Sequence, residues 1–191
     1  MLPLALDVTR LSVAVVGRGA GAIRRLALLD DAGARRVAVF ADAPEPALER
    51  VAGARLTRRL PQAAELAGIA VLFIADLPQP LAAPLAATAR AAGMLVNVED
   101  QTALCDVHVP AIVRRGDLTV AISTGGQAPG LARLLRQWLE TIVDARWGER
   151  IRVLAQRRRA WRAAGHTPRE VSEFTRGLIE RHGWLSGRDA A

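Results

Sequence analysis

Two carboxylates and a turn of small polar residues are the groups in this sequence that suit chemistry on an anionic ligand. Glu99 and Asp100 follow directly after an apolar segment at residues 94–98. A second apolar segment, residues 118–122, leads into the turn, and a helix pattern begins at Pro129. The turn consists of Ser123, Thr124, Gly125 and Gly126. Backbone N–H groups and the positive end of a helix bind anions, so the turn suits an anionic ligand. A carboxylate can exchange protons, so Asp100 is either an acid–base group or a turn-capping aspartate.

A glycine-rich turn lies near the start of the chain, between an apolar segment at residues 11–16 and a helix pattern. Its residues are Gly17, Arg18, Gly19, Ala20, Gly21 and Ala22. Gly17 allows the tight turn, Gly19 lets the backbone approach a pyrophosphate, and Ala22 takes the close-packing position. Strand, turn, helix and a second strand at residues 37–40 form the βαβ unit of a dinucleotide-binding fold. A glycine-rich turn without a ligand remains the alternative.

Two aspartates and an alanine lie at or just after the ends of predicted strands and belong to the expected nucleotide crevice. Asp42 lies near the place of the acidic residue that contacts the adenosine ribose, but it equally suits the start of a turn before the next proline. Ala75 ends a buried apolar segment, and Asp76 after it is more simply explained as a turn residue. NAD is expected rather than NADP, although Arg35 and Arg36 leave NADP open.

The composition indicates a globular protein with a basic surface. The chain has 191 residues, 51% hydrophobic and 24% charged, which is enough for one sizeable domain and a smaller appendage. Its net charge of +7 is carried by arginine and indicates either a solvated basic surface or an acidic partner. With no Tyr, 3 Phe and no aromatic nucleic-acid motif, we expect no nucleic-acid partner and consider a small polycarboxylate instead.

No segment has the pattern of a membrane span or a secretory signal. The longest apolar run, residues 69–75, is far shorter than the roughly 20 residues that a spanning helix needs. The N-terminus lacks the basic region, apolar core and cleavage site of a signal peptide. The single cysteine excludes an internal disulfide, and no Cys/His cluster has zinc spacing. We therefore expect a cytoplasmic protein without a membrane partner.

Alternating apolar segments and helix patterns predict an open, parallel α/β sheet in the first part of the chain. The predicted strands cover residues 11–16, 37–40, 55–59, 69–75 and 94–98, and two later helices cover residues 46–52 and 81–92. Because ligands bind at the carboxyl ends of parallel strands, we expect Gly17, Asp76 and Asp100 to line one crevice.

Helices dominate the last part of the chain. The predicted helices cover residues 129–144, 150–164 and 168–183. A capping box, in which Thr167 and Glu170 exchange hydrogen bonds, is expected at the start of the last one. The first of these helices carries a broad apolar stripe around Trp138, which suits either a dimer face or packing against the first domain.

Four segments share their residues and their spacing with a known family. They are residues 97–100 (NVED), 105–111 (CDVHVPA), 115–126 (RGDLTVAISTGG) and 129–136 (PGLARLLR). They resemble the precorrin-2 dehydrogenase module of siroheme synthase, a family that includes stand-alone dehydrogenases and bifunctional dehydrogenase/ferrochelatases. The resemblance covers residues 3–140 well and the helical tail loosely.

The resemblance implies a Rossmann-type NAD-binding domain at residues 1–112, a dimerisation region at 113–145 and a C-terminal helical domain at 146–191. The protein would be a homodimeric oxidoreductase that passes a hydride from precorrin-2 to NAD⁺ and yields sirohydrochlorin. Some members also insert Fe²⁺, which makes Fe²⁺ a candidate substrate metal. The family's key aspartate falls on Asp100, with acid–base work in both activities and a transient contact to the metal.

A polycarboxylate tetrapyrrole would need a basic cleft. The candidate substrate-binding residues are His108, Arg114, Arg115, Ser123, Thr124, Gly125, Gly126, Arg133 and Arg136. Arginine forks match carboxylates, and the N–H groups of the Ser-Thr-Gly-Gly turn can bind them as well. His108 and Cys105 are more simply explained as partly buried packing residues.

Three departures from the family pattern concern the nucleotide site. Arg18 is bulky in the glycine turn, Arg25 replaces the usual lysine, and Asp76 stands where the family usually has threonine. These residues put the affinity for NAD in question rather than the fold. Two alternatives therefore remain, a member that only inserts iron and a non-catalytic dimer that binds a dinucleotide or a tetrapyrrole.

Overall fold

The computed structural model describes residues 2–185, and the chain divides into two compact units. The first unit extends to Val109, and the second unit begins at Pro110. The division of the chain at residues 112 and 145 remains a prediction, and the end of the predicted helical domain after residue 185 lies outside the described residues.

A five-stranded parallel sheet forms the centre of the first unit. Its strands are β1 (Ser12–Val16), β2 (Arg36–Phe40), β3 (Leu56–Thr57), β4 (Val71–Ile74) and β5 (Leu95–Val98). Their order in the sheet is β3-β2-β1-β4-β5, so the order reverses between β1 and β4. Ligands of open α/β sheets bind at such a switch point. The predicted Rossmann-type sheet is confirmed.

Helices cover both faces of this sheet. They are α1 (Ala20–Asp31), α2 (Pro46–Ala52) and α3 (Gln79–Ala91). Because successive side chains of a strand point to opposite faces, Val13 and Val15 of β1 pack with α1 and α2. Ala14 and Val16 pack instead with the alanines of α3. These four of the five residues of β1 are fully buried, so the strand holds the glycine turn after it in a fixed position.

The predicted elements of the first unit agree with the observed ones to within a few residues. The helix at residues 46–52 has the predicted ends. The weak strand predicted at residues 55–59 is reduced to Leu56–Thr57. α1 ends at Asp31, close to Gly33, whose φ of 75° is left-handed and favours glycine.

The second unit begins with an antiparallel hairpin of β6 (Ala111–Arg115) and β7 (Leu118–Ile122), of which only β7 was predicted. Its helices are α4 (Pro129–Ile142), α5 (Trp147–Ala163) and α6 (Pro168–Arg181). The predicted capping box is confirmed, because the Thr167 N–H donates to Glu170 Oε2 at 2.8 Å and the Glu170 N–H donates to Thr167 Oγ1 at 3.3 Å. Within residues 2–185, no helix combines the length and apolar character that crossing a bilayer requires.

Candidate functional site

The carboxyl ends of the strands bring the predicted nucleotide-binding residues of the first unit and the predicted catalytic Asp100 to one edge of the sheet. These residues are the glycine turn at 17–22 after β1, Asp42 after β2, Ala75 and Asp76 after β4, and Asp100 after β5. Backbone hydrogen bonds hold the ends of neighbouring strands in register. The Gly17 N–H donates to the Phe40 carbonyl at 3.0 Å, and the Glu99 N–H donates to the Ile74 carbonyl at 2.9 Å. These residues therefore share the sheet edge at which the crevice was expected.

The Asp76 carboxylate lies at the N-terminus of α1 and accepts backbone hydrogen bonds there. Oδ2 accepts from the N–H of Gly19 at 3.1 Å and of Ala22 at 3.0 Å, and Oδ1 accepts from the N–H of Gly21 at 3.1 Å. The start of a helix leaves such donors without an intrahelical partner, and the helix dipole favours an anion beside them. α1 has no acidic residue in its own first turn. Asp76 therefore caps α1 from the end of β4.

Gly17 lies at a close approach between the start of α1 and the residue after β4. A Cβ atom at this position would be 2.5 Å from the Ala75 carbonyl oxygen and 2.9 Å from the Ala22 Cβ. Neither neighbour is the far end of a flexible side chain, so no residue other than glycine fits without a shift of the backbone. Gly17 thus sets the distance between α1 and β4.

Gly19 and Gly21 both face carboxylates. A Cβ atom at Gly19 would collide with the carboxylate of Glu45, and one at Gly21 would collide with the carboxylate of Glu99 and lie 2.7 Å from Asp76 Oδ1. The space that a dinucleotide-binding turn keeps open above its glycines is therefore bordered by three acidic side chains of the chain itself.

Arg18 forms a two-pronged ion pair with Asp42 at the end of β2. Its Nε donates to Oδ1 at 2.8 Å and its Nη2 donates to Oδ2 at 2.6 Å. The hydrogen bonds from Arg18 hold the pKa of Asp42 below its ordinary value. A ribose hydroxyl that approaches Asp42 would consequently meet an ion pair rather than an isolated carboxylate.

The consecutive carboxylates after β5 have different surroundings. The Glu99 side chain is only 15% exposed and pairs with Arg24 at 3.2 Å and with Arg25 at 3.5 Å. Asp100 is exposed and has a left-handed backbone with a φ of 58°. Asp100 is thus the carboxylate of the two that an external ligand can reach. Among residues 2–185, no group of three or more His, Cys, Asp or Glu side chains could hold a metal ion, and a contact of Asp100 with substrate iron remains a prediction.

Cys105 and His108 lie in the connection after β5. The Cys105 thiol packs against the core of the first unit and lies 3.1 Å from the Val98 carbonyl, to which it can donate. His108 is half-buried between Val107 and Val109, which pack on the opposite core. These surroundings agree with packing roles, and the contact of His108 with substrate remains a prediction.

The turn between β7 and α4 contains the remaining small polar residues of the predicted site. The Ser123 hydroxyl accepts from the Gly125 N–H at 3.2 Å, and the Thr124 hydroxyl accepts from the Ala128 N–H at 3.2 Å. Gly125 and Gly126 have φ values of 65° and 79°, which favour glycine. The hydroxyl groups thus stabilise the turn that leads into α4, and substrate binding by this turn remains a prediction.

The predicted substrate-binding arginines of the second unit differ in their hydrogen bonds and in their exposure to solvent. The Arg115 guanidinium donates to the carbonyls of Val143 at 2.8 Å and Glu140 at 3.3 Å, at the end of α4. Arg136 pairs with the Glu140 carboxylate at 2.5 Å. Arg133 is exposed on α4. Arg115 therefore contributes to the structure of its unit, whereas Arg133 presents its guanidinium to solvent. Arg114 is also engaged within the chain.

Glu45 and Glu99 border the glycine turn, although sequence analysis assigned neither of them to the nucleotide site. Glu45 is the residue before the first turn of α2, and its N–H donates to the Arg18 carbonyl at 2.7 Å. This bond ties the β2–α2 connection to the glycine turn. Only the order of the strands places the two segments together, and no local sequence pattern signals it.

The fold and the anion-binding turn define a dinucleotide-binding protein of the Rossmann type. A family model described as "Putative NAD(P)-binding" matches residues 4–111, which is more than half of the chain. The chain therefore belongs to this NAD(P)-binding family. A second model, described as "Sirohaem biosynthesis protein central", matches residues 115–141.

Curated relatives extend this similarity. The siroheme synthase of Ectopseudomonas mendocina is 43% identical over 149 residues, which cover 78% of this chain and 32% of that protein. The siroheme synthase of Methylococcus capsulatus is 37% identical over 182 residues, which cover 94% of this chain and 38% of that protein. The chain thus spans about a third of the length of these relatives. A solved structure of "SirC, precorrin-2 dehydrogenase" has the same fold, with a TM-score of 0.72 at 24% identity, covering 98% of this chain and 94% of that one.

The donors of the glycine turn suit the diphosphate of a bound NAD. The N–H groups of Gly19, Gly21 and Ala22 all donate to the Asp76 carboxylate, which occupies the position that a bound anion would take. A dinucleotide diphosphate is bound by the same kind of backbone donors at the start of a helix. The residues present therefore fit the diphosphate once the Asp76 carboxylate gives way.

Proposed function

We propose that this chain is an NAD-dependent dehydrogenase of siroheme biosynthesis that converts precorrin-2 to sirohydrochlorin. The observation that carries the proposal is the common sheet edge of the anion-binding turn after β1 and the exposed Asp100 after β5. The names of the relatives, siroheme synthase and precorrin-2 dehydrogenase, supply the pathway and the substrate.

The chemistry of the proposal divides between cofactor and protein. NAD⁺ held at the glycine turn would supply the acceptor for the hydride that the substrate loses. The loss of hydrogen also releases a proton, and the Asp100 carboxylate is the group of this chain that we assign to accept it. Glu99 does not compete for that role, because its carboxylate is paired with Arg24 and Arg25. Gly17 to Ala22 and the Arg18–Asp42 pair would hold the diphosphate and the adenosine ribose.

The substrate is a polycarboxylate, and the basic second unit suits it. The exposed guanidinium of Arg133 can form two parallel hydrogen bonds with a carboxylate. His108, Arg114, Arg115, Arg136 and the turn of Ser123, Thr124, Gly125 and Gly126 complete the proposed substrate-binding set. The positive charge of the chain would also steer an anionic substrate toward it.

A second copy of this chain is the partner that we propose for α4. Leu131, Leu134, Trp138 and Ile142 follow one another at helical spacing and are 51%, 64%, 58% and 53% exposed. A contiguous apolar stripe of this kind on a helix is characteristic of a protein interface. A homodimer formed by α4 agrees with the dimerisation region that the family resemblance implies.

Insertion of Fe²⁺ into sirohydrochlorin is the second candidate function. The occupation of the NAD-binding amides by Asp76 favours it, because chelation needs no nucleotide. In this reaction Asp100 would accept the pyrrole protons that iron replaces, and a carboxylate oxygen suits a transient contact with the metal.

One assay with a carboxylate variant tests the dehydrogenase. The purified protein is incubated with precorrin-2 and NAD⁺, and the absorbance of sirohydrochlorin is followed. We expect Asp100→Asn to reduce the rate by about 10²-fold or more, because the amide cannot accept the proton. Asparagine tolerates the left-handed backbone of Asp100, so the variant should fold. Asp117→Asn, which removes the same charge from an exposed hairpin turn, should keep the full rate.

The outcomes separate the candidates. Formation of sirohydrochlorin that depends on NAD⁺ and on Asp100 supports the dehydrogenase. The chelatase would be established instead if no sirohydrochlorin forms with NAD⁺, but iron is inserted when Fe²⁺ and sirohydrochlorin are supplied without nucleotide. An Asp100→Asn variant as active as the parent protein would refute the proton-accepting role.

A further inference from the structure

We propose that Asp76 is an internal competitor of the dinucleotide, whose carboxylate must leave the N-terminus of α1 before the diphosphate can bind. The proposal rests on the proposed nucleotide site and adds a residue that determines its affinity. Asp76 would then weaken the binding of NAD instead of holding the cofactor.

The hydrogen bonds of Asp76 are the first support. Its carboxylate oxygens accept from the N–H groups of Gly19, Gly21 and Ala22 at 3.0–3.1 Å. A diphosphate at this turn would need the same donors, since a helix start offers only a few free N–H groups in one direction. Carboxylate and diphosphate are therefore mutually exclusive at this position.

The carboxylates around Asp76 are the second support. Glu45 lies over Gly19, and Glu99 lies over Gly21 beside Asp76 Oδ1. A diphosphate brought to the turn would add its own negative charge to this group, and like charges at short range repel. The paired arginines of Glu99 reduce this repulsion at Gly21. Departure of the Asp76 carboxylate removes the negative charge that is closest to the amides.

The exposure of Asp76 makes its departure feasible. Ala75 and Leu77 on either side are buried and anchor the backbone, whereas Asp76 itself is exposed. Its carboxylate can therefore rotate into water, where solvation replaces the lost hydrogen bonds, without movement of the strand end. The contact weakens nucleotide binding rather than abolishing it, because the bound state has to displace a competing group.

The backbone of Asp76 decides which variants can test the proposal. Its φ of 56° is left-handed, which glycine and asparagine adopt more readily than other residues. Asp76→Gly removes the side chain and leaves the amides open. Asp76→Asn keeps the shape and one acceptor oxygen but removes the charge. Threonine is β-branched and unsuited to this backbone, so Asp76→Thr is not a clean test.

Titration calorimetry with NAD⁺ measures the effect directly on the full-length protein. Displacement of a charged acceptor from backbone N–H groups should tighten NAD⁺ binding by about tenfold or more in Asp76→Gly, with Asp76→Asn in between. Asp117→Asn, which removes the same charge from the second unit, should bind NAD⁺ like the parent protein. Amide resonances of Gly19 and Gly21 in ¹⁵N spectra should shift in Asp76→Gly before any nucleotide is added.

Each outcome is decisive. Tighter binding in Asp76→Gly with an unchanged control supports the competitor. Equal affinity in the variants and the parent protein refutes it but leaves NAD binding intact, and weaker binding refutes it because Asp76 would then hold the nucleotide. No heat from NAD⁺ with any of the proteins would overturn both this inference and the proposed dehydrogenase. Circular dichroism identifies an unfolded Asp76→Gly protein, in which case Asp76→Asn, with its shape retained, gives the deciding comparison.

Discussion

Arg115 allows a test that separates a structural role from a substrate-binding role. Its guanidinium donates to the carbonyls of Val143 at 2.8 Å and Glu140 at 3.3 Å, in the last turn of α4 and its C-cap. The final carbonyls of a helix lack intrahelical donors, and the helix dipole favours a cation beside them. Arg115→Ala removes both hydrogen bonds and the cation from this helix end.

The magnitude of the loss follows from these contacts. A hydrogen bond from a charged donor contributes about 1.5–3 kcal/mol to stability. One of the bonds of Arg115 is long, and Val143 is only half-buried, so water replaces part of what is lost. We therefore expect Arg115→Ala to lower the free energy of unfolding by about 2 kcal/mol. Arg115→Lys keeps the charge without the planar fork and should lose about 1 kcal/mol.

Urea unfolding followed by tryptophan fluorescence is the suitable assay. The four tryptophans, at positions 138, 147, 161 and 184, all belong to the second unit, so their fluorescence reports on the unit that contains Arg115. The unfolding midpoint and slope give the change in free energy. Arg133→Ala removes the same charge from an exposed position of α4 and should change the free energy by less than about 0.5 kcal/mol.

The stability and the KM of Arg115→Ala together distinguish a structural role of Arg115 from a substrate-binding role. Unchanged stability of Arg115→Ala, together with a raised KM for precorrin-2, would show that this guanidinium serves the substrate and that the capping of α4 is unimportant. Lower stability with an unchanged KM would remove Arg115 from the substrate-binding set. Arg133→Ala should show the reverse pattern, with weaker substrate binding and intact stability.

Two further predictions concern the α4 surface and the ion pair at the nucleotide edge. Trp138→Arg should convert the proposed homodimer to a monomer, as measured by size-exclusion chromatography with light scattering. The control Val51→Arg, at an exposed apolar position of α2, should leave the mass unchanged. A Trp138→Arg protein that stays dimeric would exclude α4 as the interface. Arg18→Ala should raise the pKa of Asp42 toward its ordinary value in a carboxyl NMR titration, because the hydrogen bonds that lower it are lost. Because the pKa of Asp42 is lowered in the folded state, the pair stabilises the protein at pH values above the unfolded-state pKa. This stabilisation is lost as the pH falls through the folded-state pKa. An unchanged pKa of Asp42 in Arg18→Ala would contradict the role of the pair.

The sheet of the first unit was predictable because its strands are buried on both faces. Such strands are continuous apolar runs separated by helix patterns, as at residues 71–74, where every side chain is buried. The hairpin of the second unit has no comparable signal. In β6 only Val113 is buried and two arginines end the strand, so neither an apolar run nor strict alternation marks it. Pairing with β7, rather than local pattern, makes this segment a strand.

The nucleotide edge was predictable in its residues but not in their contacts. Parallel strands deliver their carboxyl ends to one edge, so the common location of Gly17, Asp42 and Asp76 follows from the strand order. The direction of each side chain does not follow. Arg18, expected to crowd the glycine turn, is instead held by Asp42. A salt bridge between residues that are distant in sequence has no signature in either segment.

The position of Asp76 depends on a backbone conformation that sequence patterns do not reveal. An aspartate before a proline-rich helix start usually indicates a turn, and the chain does bend at Asp76. Asp76 has a left-handed φ of 56°, and in this conformation its carboxylate reaches the amides of Gly19, Gly21 and Ala22. The charge that stabilises α1 in the absence of nucleotide is then the charge that opposes the diphosphate. Stability of the empty fold and affinity for NAD would therefore change in opposite directions in Asp76→Gly, and a variant that gained or lost both together would contradict this coupling.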